Sequence, residues 1–191
     1  MSQGGLEPIN PARGIYRFAR QARSPNQDVR PSGSQIELIV IHGISLPPGR
    51  FGQGWIEDLF RNRIAVDHPD PALRAVSTLR VSAHLLIERD GNLLQFVSFK
   101  NRAWHAGVSS WYGREHCNDF SVGIELEGTD TRPYEGVQYL QLARVIRALR
   151  KAYPTLRPEG LAGHSEIAPG RKTDPGPAFD WDRLRTLAAR D

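Results

Sequence analysis

The chain has 191 residues, 39% apolar and 24% charged, a balance that suits one globular domain and excludes a fibrous, low-complexity or wholly disordered chain. No apolar run approaches the ~20 residues that cross a bilayer. Twenty-five Lys and Arg against 21 Asp and Glu give +4, but they are scattered, without a basic run or an aromatic–basic motif, so neither nucleic acid nor a membrane is an expected partner. The single cysteine, Cys117, excludes an internal disulfide framework or a multi-cysteine zinc knuckle and reads as a small buried residue. Met1–Leu6 has no apolar secretory core and no lipid-attachment cysteine, so the expected compartment is the cytoplasm.

Residues 1–34, rich in Gly, Pro, Ser, Asn and Arg, read as an irregular arm, frayed at its first residues, ahead of a domain over 35–191. Ile36 and the run Leu38-Ile39-Val40-Ile41 suit a central strand covered on both faces, ending at His42-Gly43. Trp55, Ile56, Leu59 and Phe60 have helical spacing within 54–63, and a polar loop is expected over 66–77. Ser82–Glu88 and Leu93–Phe99 flank Asp90-Gly91, a hairpin signature. Ser121–Gly128 alternates, with Val122, Ile124 and Leu126 on one face and Gly123, Glu125 and Glu127 on the other. The spacing of Tyr139, Leu142, Ile146, Leu149 and Tyr153 predicts a helix over 137–153, stopped by Pro154. A long Gly/Pro-rich loop is expected over 157–179, then a short helix over 181–189. These elements predict a single α/β (α+β) domain, a mixed sheet flanked by helices.

His42 sits where the central strand emerges, and His164 and Asp174 lie ten residues apart in the late loop. Two imidazoles and a carboxylate suit Zn²⁺ with its fourth position open for water, although this spacing matches no common metalloprotease helix. Glu125 and Glu127 share the polar face of their strand, and the residues alone do not choose between them. Gly123, two residues before Glu125, is expected to leave that face open to a ligand.

Five segments occur in order: His42–Gly52, Arg80-Val81-Ser82-Ala83-His84, Arg102–Ser110, Ser121–Asp130, and Gly163–Pro177 with Phe179-Asp180-Trp181. Together they resemble the AmpD-type zinc-dependent N-acetylmuramoyl-L-alanine amidases of peptidoglycan recycling and, more distantly, the wider zinc-amidase and peptidoglycan-recognition fold. The resemblance covers about residues 35–185. It implies that one Zn²⁺ per chain is held by His42, His164 and Asp174, that Glu125 is the proton acceptor, and that Lys172 stabilises the transition state. The implied substrate is a 1,6-anhydro-muropeptide, cut at the amide between N-acetylmuramic acid and L-alanine, with no obligate protein partner.

Lys172 lies two residues before Asp174, so in an extended loop its ammonium faces the same way; Arg171 is equally available, and it is the family match that selects Lys172. Arg80 is a candidate for a stem-peptide carboxylate, and Trp104 and His105 are candidates to line the cleft. His84 and His68 read as structural or exposed. Two positions depart from the family pattern: Gly43 stands where Asn is usual, and His116 where Arg is common, which puts muropeptide preference in question. Two rival readings accompany the main one: a peptidoglycan-binding module without catalysis, and an amidase acting on intact cell wall.

Overall fold

Four consecutive aliphatic residues with no exposed surface, Leu38 to Ile41, form the axis of the fold. In the computed structural model, which describes residues 7–189, they belong to a strand that runs on through His42 and Gly43 to Ile44. His42 is therefore inside the strand, two residues before its end, and the end expected at His42-Gly43 is corrected accordingly. The fraying expected of the first six residues lies outside the described residues.

In chain order the strands are β1 (Ile9–Asn10), β2 (Ile15–Tyr16), β3 (Arg20–Gln21), β4 (Gln27–Val29), β5 (Leu38–Ile44), β6 (Leu85–Ile87), β7 (Leu93–Gln95), β8 (Asn101–Ala103), β9 (Ser110–Trp111), β10 (Arg114–Glu115), β11 (Ser121–Glu127) and β12 (Leu161–Gly163). The helices are α1 (Trp55–Phe60), α2 (Pro71–Val76), α3 (Gly136–Ala152), α4 (His164–Ile167) and α5 (Trp181–Ala188). The main sheet has six strands in the order β12-β5-β11-β6-β7-β3. β12, β5, β11 and β6 run parallel, β6 and β7 form the expected antiparallel hairpin, and β3 joins β7 in parallel. The mixed sheet with flanking helices predicted from the sequence is the one found.

Alternation sorts the two faces. Ile39, Ile41, Val122, Ile124 and Leu126 pack with Tyr139, Leu142, Ile146 and Leu149 of α3 and Leu184 of α5. On the other face Leu86 and Leu94 meet Ile56, Leu59 and Phe60 of α1 and Leu73 of α2, while Leu38 and Val40 meet Cys117, Phe120 and Ile167. Gln138, fully buried in the first turn of α3, donates to the carbonyls of Ile87 and Glu127 and so ties the helix to the ends of β6 and β11.

Three loops expected from the sequence contain regular structure. The 66–77 loop holds α2, capped by the Asp70 side chain, which accepts from the Ala72 N–H, with Pro71 at its start. The 157–179 loop holds β12 and α4. The 1–34 arm carries β1 to β4; β3 extends the main sheet and β4 pairs with β8. Among the described residues no helix is long and apolar enough to cross a membrane.

Candidate metal centre

Parallel pairing in register sets His42 of β5 directly beside Glu125 of β11, and neighbours across parallel strands point to the same face. That face is opposite α3. On the other side of β5, β12 pairs Gly163 with Ile41, so His164, the first residue of α4, emerges next to His42. The loop after α4 folds back until the Asp174 carbonyl accepts from the Ser165 N–H at 2.9 Å, which returns the Asp174 side chain to the two imidazoles. Three segments far apart in sequence thus meet at the C-terminal ends of parallel strands, where ligands characteristically bind in open α/β sheets.

His42, His164 and Asp174 form a cluster suited to a metal. His42 Nδ1 lies 2.9 Å from His164 Nδ1, and Asp174 Oδ2 lies 3.3 Å from the first and 3.1 Å from the second. A tetrahedral zinc with bonds of 2.0–2.1 Å separates its ligand atoms by about 3.3 Å, so this triangle is close to the required size. The donor chemistry agrees. His164 Nε2 faces the Ala106 carbonyl at 3.2 Å, an acceptor only, so Nε2 carries a ring hydrogen and Nδ1 is the nitrogen left to offer a metal its lone pair. That lone pair, the Asp174 carboxylate and His42 Nδ1 converge on one point.

Burial lowers the His42 pKa to about 4, so its ring is neutral, as a metal ligand must be. Burial would raise the Asp174 carboxyl, but hydrogen bonds and charge from His164 and His42 hold it well below the usual range. Glu125 goes the other way. Burial, then the nearby Asp174 charge, raises its pKa well above an ordinary carboxylate, with Lys172 opposing, and its Oε2 is buried without a hydrogen-bond partner.

Glu125 and Glu127 differ in the loops around them. Glu127 Oε1 accepts from the Gly52 N–H at 2.6 Å and Oε2 from the Arg89 N–H at 3.2 Å, so both its oxygens are committed. Glu125 keeps an uncommitted oxygen.

The other expected site residues divide. Lys172 is exposed, and its charge acts on both His42 and Glu125. Its backbone is not extended: the N–H groups of Arg171 and Lys172 both donate to the Ala168 carbonyl, which makes a turn, so alternation is not what directs its side chain. Arg171 is occupied elsewhere, with Nη2 donating to the carbonyls of Ala106 and Val108 at 2.6 Å each. Arg80 is exposed, and its Nη1 donates to the local carbonyls of Ser77 and Leu79. Trp104 is half-buried, and its backbone N–H donates to Ser82 Oγ at 3.3 Å.

His105 is also partly buried, but both its nitrogens are taken by protein, Nδ1 by His42 Nε2 at 2.9 Å and Nε2 by Ser121 Oγ at 3.0 Å. It has no polar atom to spare for a ligand. Its ring also fills the space above Gly123, where any Cβ would collide with it, so Gly123 does not leave that face open as expected. Ser121, missed in the sequence, shares the alternation that carries Gly123 and Glu125, which is the signal that finds it. A side chain at Gly43 would fall on the Tyr134 hydroxyl, and His116 is exposed with a left-handed backbone (φ 59°). His84 is buried and accepts from the Gly123 N–H at Nδ1, and His68 packs edge-on against Trp55.

Comparison with known proteins gives the family. Residues 32–177 match the Amidase_2 family model, N-acetylmuramoyl-L-alanine amidase. The chain is 54% identical over 179 residues to the 1,6-anhydro-N-acetylmuramyl-L-alanine amidase AmpD of Salmonella typhimurium (strain SL1344), covering 94% of this chain and 95% of that protein. The crystal structure of a selenomethionine AmpD derivative superimposes with a TM-score of 0.89 at 52% identity, covering 94% of this chain and 98% of that one. A more distant structure, at 29% identity and a TM-score of 0.58 over 90% of this chain and 61% of the other, is the amidase AmiD from E. coli in complex with the substrate anhydro-N-acetylmuramic acid-L-Ala-D-gamma-Glu-L-Lys.

Proposed function

The chain belongs to the N-acetylmuramoyl-L-alanine amidase family, and from that premise we propose that it hydrolyses the amide joining 1,6-anhydro-N-acetylmuramic acid to the L-alanine of a stem peptide. The observation that carries the reading is the convergence of His42 Nδ1, His164 Nδ1 and Asp174 Oδ2 beside an unpartnered Glu125 oxygen. We take the metal to be one Zn²⁺ per chain, the catalytic unit to be residues 35–191, and the compartment to be the cytoplasm.

When bound, zinc supplies a Lewis acid that polarises the scissile carbonyl and makes water acidic enough to attack near neutral pH. Glu125, held on a central strand beside His42, takes the proton of the attacking water and passes it to the departing alanine nitrogen. Its burial strengthens its hold on that proton between the two transfers. The Lys172 ammonium faces the negative charge that develops on the carbonyl oxygen. Trp104 offers an aromatic surface at the rim and Arg80 a free guanidinium edge for a stem-peptide carboxylate.

Mass spectrometry of a defined anhydro-muropeptide digested in ¹⁸O-water tests this reading. The expected products are an unlabelled stem peptide and an anhydro-sugar with one ¹⁸O in its lactyl carboxylate. A cut within the peptide or glycan contradicts it. Binding without turnover points to the non-catalytic module, and preference for intact sacculi points to the wall-acting enzyme.

A further inference from the structure

His42 uses Nδ1 toward the metal cluster, and its Nε2 is the start of a second chain of contacts: His42 Nε2 to His105 Nδ1 at 2.9 Å, then His105 Nε2 to Ser121 Oγ at 3.0 Å. Ser121 has no exposed surface, and Gly123 supplies the gap into which the His105 ring fits. We propose that His105 and Ser121 form a tautomer relay behind His42, positioning residues that turn its Nδ1 lone pair toward the metal. This rests on reading His42, His164 and Asp174 as the ligand set.

The hydrogen-bond roles follow from what each nitrogen faces. Without a cation, His42 Nδ1 faces the Asp174 carboxylate, which only accepts, so it carries the ring hydrogen. His42 Nε2 is then an acceptor, His105 donates to it from Nδ1, and Ser121 donates to His105 Nε2. With a cation at the cluster, His42 Nδ1 must be bare and Nε2 carries the hydrogen. His105 then accepts at Nδ1 and donates from Nε2 to Ser121 Oγ, whose hydroxyl can play either part. The three groups hold the same number of protons in both states, so the relay inverts without a change of charge. A group that offered only a donor, or only an acceptor, toward His42 could satisfy one state and not the other.

The test is ¹⁵N NMR of histidine-labelled protein with and without zinc, joined to zinc competition against a chromogenic chelator. His42 and His105 are expected as Nδ1–H tautomers in the metal-free protein and Nε2–H tautomers with zinc. A His105 tautomer that is the same in both forms overturns the relay. His105→Phe is expected to weaken zinc binding by about 10–100-fold, the usual effect of removing an outer partner of a metal-bound histidine. His105→Asn, whose amide oxygen can take the place of Nδ1 as acceptor, is expected to recover most of the affinity. Ser121→Ala is expected to fall between. His105→Phe binding zinc as tightly as the parent also overturns the relay; if that variant does not fold, Ser121→Ala and the parent spectra decide. A parent that binds no zinc breaks the metal reading itself, whereas a parent that binds zinc with unshifted tautomers breaks only the relay.

Discussion

Across β12, β5, β11 and β6 the sheet is parallel and its strands are buried on both faces, whereas the edge formed by β7 and β3, with the arm behind it, is held by buried amides and a guanidinium. In the first region Ile39, Ile41, Val122 and Ile124 have no exposed surface and pack against α3. In the second, Gln95 accepts from the Tyr16 N–H and donates to the carbonyls of Gly14 and Val97. Asn26 donates to the carbonyls of Phe60 and Val81, and Arg30 to those of Phe99, Asn118, Asp119 and Ser121. The apolar region provides a rigid base that fixes where side chains at its strand ends point, and His42 and Glu125 are there. The polar region closes a chain segment too poor in aliphatic residues to bury itself, and it braces β11 from behind through Arg30.

The largest expected effect sets apart two carboxylates on one strand. Glu125→Gln should lower kcat by about 10²–10⁴-fold, the range for losing a general acid–base group, with zinc content unchanged. Glu127→Gln should mainly loosen the loops at Gly52 and Arg89. Equal losses of turnover in the two variants would contradict the division of roles drawn from their hydrogen bonds.

Next come the two modes of stabilisation. Ile124→Ala in β11 removes a fully buried side chain and should cost about 2–5 kcal/mol in urea unfolding. Asn26→Ala should cost less, about 1–3 kcal/mol, because it strips carbonyl partners without opening an apolar cavity of that size. The reverse order would mean that the arm, and not the parallel core, carries the stability. Smallest is Lys151→Ala, which removes an ion pair with Glu7 at 3.0 Å whose two side chains are 69% and 57% exposed. It should change stability by about 0–1 kcal/mol. A larger loss would show that the arm is also pinned from outside.

The same contrast explains what could be read from the sequence. The central strand, the alternation over 121–127 and the period of α3 are local patterns, and each lies in the apolar region. His42, His164 and Asp174 stand out as chemistry, but only the register of β5 with β11 and β12 brings them together. α2 carried a readable start in Asp70-Pro71, hidden by the polar residues around it. β12, Leu161-Ala162-Gly163, is three residues long and ends in glycine; it is a strand because β5 offers it a partner. The arm strands likewise exist through partners such as Gln95 and Asn26 that no local periodicity reports. Choosing Glu125 over Glu127 depends on amides of Gly52 and Arg89, both distant in sequence. The partners of His105 are illegible for a similar reason, since they lie 63 and 16 residues away.

Elemental analysis of the purified protein beside His164→Ala tests the central claim most directly. The three-donor site predicts about one zinc per parent chain, none retained by His164→Ala after dialysis, and an unchanged circular dichroism spectrum. Equal zinc in both proteins, or none in an active parent, would contradict it.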